Sequence, residues 1–170
     1  MKQLFLFAVL AFSLFSCSGN QKQAEASTSS TFELDDLLAV ADQKVDKTIT
    51  LVGYVTHTCV HTGKRCLVVG ESQTASFRVE AKGEIDQFTP ELIGSKLAIT
   101  GIIKEQHLDR EYIDEIETEV KQLEKEGEAS EEVCAAELSN INDMRQWMKD
   151  HDKDYYIIYY MDGQKFEVLD

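Results

Sequence analysis

Residues 57 to 66 read His57-Thr58-Cys59-Val60-His61-Thr62-Gly63-Lys64-Arg65-Cys66, the one dense run of soft, metal-ligating side chains in the 170 residues. Alternation along a strand sends His57, Cys59 and His61 to one face, about 6–7 Å apart at each step. A four-residue loop from Thr62 to Arg65 then sets Cys66 opposite His61, pointing the same way. Two imidazoles and two thiolates on one face suit tetrahedral zinc, and the thiolates also suit Cu(I). Two other readings of these residues stay open. In one, Cys59 and Cys66 form a disulfide diagonally across the hairpin, at ~7–8 Å unless a bulge tightens it. In the other, Cys59 packs as a small apolar residue and the histidines are exposed polar groups.

A second, weaker group is basic: Lys64, Arg65, Arg78 and Lys82, which surround the second and third expected strands. Single-stranded nucleic acid needs stacking aromatics beside such cations. Only Tyr54 and Phe77 stand near these four. The net charge of −14 is lopsided, with eleven Asp/Glu against two Lys from Glu111 to Glu137, and nine Lys/Arg against eight Asp/Glu from Lys44 to Arg110. The acid therefore belongs to one solvated stretch, and a nucleic-acid partner is not expected. No nucleophile elbow, phosphate loop, H-E-x-x-H or paired-cysteine redox motif is present, so no enzyme is predicted.

The elements that must hold these residues follow from periodicity. Phe32, Leu34, Leu37, Leu38 and Ala41 have helical spacing, which predicts a short helix from Thr31 to near Lys44. Strands are expected at residues 48–56, 66–69, 75–81 and 96–103, with a short helix or turn over 85–93. Two amphipathic helices follow, over 111–125 and from the cap Ser130 to about Asp150, with Cys134 on the apolar stripe of the second. The run Tyr155 to Met161, then Asp162-Gly163 and Gln164 to Leu169, reads as a terminal hairpin, because Asp-Gly between strand-like runs is a strong turn signal. Its tyrosine-rich strand is apolar on both faces, which predicts either cover from the rest of the domain or a contact surface.

The N-terminus carries an address. Lys2, the apolar run Leu4 to Phe15, and Leu14-Phe15-Ser16-Cys17 describe a secretory signal, with an apolar core shorter than the ~20 residues a bilayer span needs. Leu14 at −3, Ser16 at −1 and Cys17 at +1 resemble the lipobox of bacterial lipoproteins. The resemblance implies cleavage before Cys17, lipid on that cysteine, and attachment to membrane in the cell envelope. Ser18 after the cysteine, by resemblance to Gram-negative lipoproteins, implies the outer membrane, with the protein facing the periplasm. Residues 18–30 are small and polar, as in a tether. Removing Cys17 leaves three cysteines, so at most one disulfide forms.

Three strands, a short helix and a fourth strand, with Gly53, Gly101 and Gly94-Ser95-Lys96, resemble an OB-fold over residues 45–110. Such barrels hold oligonucleotides or oligosaccharides on the face where Lys64, Arg65, Arg78 and Lys82 fall. The run from Phe32 to Lys104 also resembles a group of small Bacteroidetes lipoproteins that share a H-x-C-x-H-x-G-[KR] stretch. The expected fold is α+β: an OB-like five-stranded Greek-key β-barrel with an N-terminal helix and a helical C-terminal extension ending in a β-hairpin. The expected divisions are a signal peptide (1–16), lipidated cysteine and tether (17–30), helix and barrel (31–110), and extension (111–170). The function expected is an envelope binding module for zinc or copper at His57, Cys59, His61 and Cys66. The alternatives are a scaffold for an envelope protein partner, with Tyr156 and Tyr159 in the contact, and oligosaccharide or nucleic-acid binding on the barrel face.

Overall fold

A computed structural model describes residues 29–169, in which five strands close into the expected OB-like barrel. Cys17, the signal segment and most of the tether lie outside the described residues. The elements are β1 (Ser30–Glu33), α1 (Leu34–Leu38), β2 (Thr48–Thr58), β3 (Arg65–Val69), β4 (Ser76–Ala81), β5 (Lys96–Asp109), α2 (Arg110–Glu126), α3 (Glu131–Asp150) and β6 (Tyr155–Val168). The wall runs β2-β3-β4-β6-β5 and returns to β2 through the β2–β5 pairing, while β1 lies parallel on the edge of β2. Only the β4–β6 seam of the wall is parallel. This order is the Greek-key signature of an OB barrel.

The terminal hairpin does not form. Residues 155–168 are one strand, paired with β5 from Asp109↔Tyr155 to Leu97↔Val168 and with β4 from Arg78 to Ala81. A two-residue Asp-Gly turn of the hairpin type needs positive φ. Gly163 has none, and is instead buried in the wall. A Cβ there would lie 2.8 Å from Val79 Cγ1 and 3.2 Å from Ile85 Cδ1, so glycine serves close packing rather than a turn. Pairing on both edges of β6 outweighs the local turn signal. The chain beyond residue 110 is therefore not a separate extension: α2 and α3 are inserted between the fourth and fifth barrel strands.

The N-terminal helix is also shorter than expected. Phe32 lies in β1, helix is confined to Leu34–Leu38, and Ala41–Lys44 forms a 3₁₀ turn. The helical spacing remains meaningful, since Leu34, Leu37 and Ala41 are the buried positions. Leu34 and Leu37 close the barrel end that carries the β3–β4 loop, where Asp35 accepts hydrogen bonds from Ser72 Oγ (2.6 Å) and Ser72 N (3.1 Å). Ile85 and Phe88 close the other end, where Phe88 N donates to Gly63 O at 2.7 Å. Between these plugs Val68, Val79, Leu97, Ile99, Ile103 and Met161 fill the barrel with no exposed surface. Each such large aliphatic side chain contributes ~1.5–3 kcal/mol by leaving water. The interior is packed, so any ligand must bind outside it.

Beyond the barrel, β5 and β6 continue as a two-stranded ribbon that carries the helical hairpin. Asp109 caps α2 by accepting from Tyr112 N, Gly127 ends it at φ 72°, and Ser130 caps α3. A second core joins Leu108, Ile113, Val120, Cys134, Ile141 and Met148 with the half-buried Tyr156 and Ile158 of the ribbon. Arg145 of α3 ties Asp114 and Glu117 of α2. Among the described residues no helix is long and apolar enough to cross a bilayer.

Candidate functional site

The anticipated metal ligands do not share a face. A bulge between Val55 and His57 shifts the β2–β3 register, and β2 ends at Thr58. His57 is therefore exposed while its neighbour Thr58 is buried, the reverse of simple alternation. Thr58, not His61, lies opposite Cys66, and the connecting loop runs from Cys59 to Lys64. Cys66 is 0% exposed and packs in the barrel core, where burial pushes its thiol up to about 12. His61 is exposed in the loop. Among the described residues no group of three or more His, Cys, Asp or Glu side chains is placed to hold a metal ion. Cys59, Cys66 and Cys134 are free thiols, so the diagonal disulfide is not formed either.

Cys59 occupies a different environment from Cys66. Its sulfur accepts from Thr62 Oγ1 at 3.3 Å, and that bond, followed by backbone N–H groups of Thr62 and His61 and the charge of Arg65, draws its pKa down. Donors aimed at one sulfur favour the thiolate. The loop itself is braced by Gly63 N to Cys59 O at 2.7 Å and by Lys64 Nζ, which reaches Asp86 O (2.5 Å) and Oδ1 (3.1 Å).

The residues that the barrel does bring together lie on its outer wall. Cross-strand pairing sets His57, Leu67, Arg78, Tyr160 and Lys104 in one row over five strands. The neighbouring row, Thr58, Cys66, Val79, Met161 and Ile103, points inward and is buried throughout. The guanidinium of Arg78 lies over the Tyr160 ring, 4.6 Å from its centroid, and Nη2 donates to Gln106 Oε1 at 2.8 Å. Its Nε is 3.4 Å from Glu80 Oε1 yet makes no hydrogen bond and is buried. Arg65 Nε donates to the same Glu80 oxygen at 2.9 Å, and Lys104 pairs with Asp46 at 2.6 Å.

Of the four anticipated basic residues, Lys64, Arg65 and Arg78 are thus committed to acids, and only Lys82, exposed where β4 ends, lacks an ion pair among the described residues. Phe77 faces the core, and the Tyr54 hydroxyl donates to Glu71 at 2.9 Å. The aromatic residue on this face is Tyr160, which arrives with β6. Sequence reasoning missed Tyr160, Gln106 and Lys104. No local signal marked them, because their neighbourhood is created by the pairing of β6 with β4 and β5.

No protein-family model matches the chain, and no curated protein matches it. Among solved structures the chain is similar in shape to a Leishmania major Friedlin protein provisionally assigned as an aspartyl-tRNA synthetase, at 12% identity and a TM-score of 0.40. That match covers 88% of this chain and 22% of the other, so the chain spans about a fifth of that protein's length.

Proposed function

We propose that this chain is a non-catalytic binding module of the cell envelope, held to the membrane by lipid on Cys17, whose ligand lies across the outer barrel wall. The observation that carries the reading is the row His57, Leu67, Arg78, Tyr160 and Lys104. It lies on the face that OB barrels use for oligonucleotides and oligosaccharides. Its cations are already matched by Glu80 and Asp46, so it offers alternating donors and acceptors rather than net positive charge. A hydroxyl-rich oligosaccharide suits that pattern better than a phosphate backbone, whose binding rests on unpaired cations. Arg78 is held in place by Tyr160 and Gln106, and a pre-positioned donor loses little freedom when a ligand arrives.

The test is calorimetric titration of envelope glycan fragments into the wild type, Arg78→Lys and Tyr160→Ala, with circular dichroism to confirm folding. At least tenfold weaker binding in both variants is expected, and equal binding in all three proteins would overturn the reading. Elemental analysis of the same samples addresses the sequence expectation. Stoichiometric zinc or copper, lost in Cys59→Ser, would return the function to the His57–Cys66 run.

A further inference from the structure

The α3 helix carries more apolar surface than its partner helix covers. Cys134, Ile141 and Met148 form the buried stripe against α2 and the ribbon. Glu137, Asn140, Met144 and Trp147 form a second stripe at three- and four-residue spacing, and with Asp143 and Tyr156 they line a groove separate from the Arg78 row. Trp147 stacks on His151 at 4.2 Å and meets Tyr156 edge-on at 5.3 Å, yet Met144, Trp147 and Tyr156 all stay half-exposed. Glu137 and Asp143 stand at the rim as exposed carboxylates. Arg145, the cation nearest in sequence, is turned away to Asp114 and Glu117 of α2. From Arg110 to Asp150 there are thirteen Asp/Glu against five Lys/Arg, a net charge of −8 on this hairpin alone.

We propose that this groove docks a basic amphipathic peptide segment of a protein partner. The aliphatic stem of a lysine or arginine lies along Met144 and the Trp147 ring, with its charge meeting Asp143 and Glu137. Apolar stems with charged tips fit an aromatic floor with an acidic rim on both counts. The surrounding negative field steers such a segment in and repels an acidic one.

Trp147 is the single tryptophan of the chain, so its emission reports directly on the groove. The experiment uses the mature chain with Cys17→Ser and a short lysine–leucine peptide free of tryptophan and tyrosine. Saturable change in Trp147 emission is expected. It should weaken at least tenfold in Glu137→Gln/Asp143→Asn, and the glutamate–leucine counterpart should give no response. Arg78→Lys should bind the basic peptide like the wild type, which separates this groove from the barrel wall.

Three outcomes would overturn the proposal. One is no emission change. Another is equal weakening by Glu115→Gln/Glu119→Gln on the remote face of α2, the mark of diffuse attraction. The third is concentration-dependent emission accompanied by dimers in sedimentation, which would assign the groove to a second copy of the chain.

Discussion

Thr58 and Cys66 face each other across the β2–β3 ladder, and both side chains point into the barrel. That pairing divides the run from His57 to Cys66 into a core half and a solvent half. It takes Cys66 out of reach of the histidines and leaves Thr58 Oγ1 buried with no hydrogen-bond partner.

Removing that orphaned hydroxyl should help the fold. A buried polar group without a partner costs about 1–3 kcal/mol, and an apolar replacement of the same shape escapes the cost. Thr58→Val is expected to raise stability by ~1 kcal/mol in urea unfolding. Loss of stability would show that the hydroxyl is satisfied, for instance by an ordered water.

Alkaline pH should unfold the protein partly through Cys66. A thiol whose folded pKa is about 12, against an ordinary 9.0, keeps its proton longer when folded. Its contribution to stability is intact below pH 9.0 and is lost as pH rises toward about 12. The loss is roughly 1.4 kcal/mol for each unit between them. Cys66→Ala should flatten this limb of the pH–stability curve, although the small cavity lowers the plateau at neutral pH. An unchanged slope would place the alkaline transition elsewhere.

Cys59 should be the first thiol to react. Its lowered pKa and position in the loop favour alkylation, whereas Cys66 and Cys134 are buried. The cause of the shift is specific: Thr62→Val removes the largest contribution, so the inflection in the iodoacetamide rate against pH should move upward. Mass spectrometry of the modified peptides identifies the site, and equal labelling of all three cysteines in the folded protein would contradict these placements.

Gly163→Ala should cost more than a turn substitution would. The added methyl meets Val79 Cγ1 at 2.8 Å in the packed wall, and overpacking of this kind costs ~1–3 kcal/mol. Gly127→Ala, at φ 72° with open space around it, should cost ~1 kcal/mol through conformation alone. Denaturant midpoints decide the order, and a milder effect at Gly163 would revive the hairpin.

Much of this architecture can be read locally. The alternating β-branched runs, the cap at Ser130 and the apolar stripes of α2 and α3 all act through neighbours within a turn or a strand, and each forms near where its residues predict. The lone Cys134 on its stripe is in the second core for the same reason.

The departures have one origin. The Val55–His57 bulge, the uninterrupted β6 and the strand at Ser30–Glu33 depend on which distant segment lies alongside, and no local pattern records that. By itself the sequence determined strands β2 to β5, helices α2 and α3 and the acidity of the helical hairpin, because side-chain period and composition dictate each of them over short range. Only the tertiary structure decided that Cys66 faces the core, that Tyr160 lies beside Arg78, and that Trp147 and Tyr156 line one groove. Those juxtapositions are created by closing the barrel with a strand drawn from the far end of the chain.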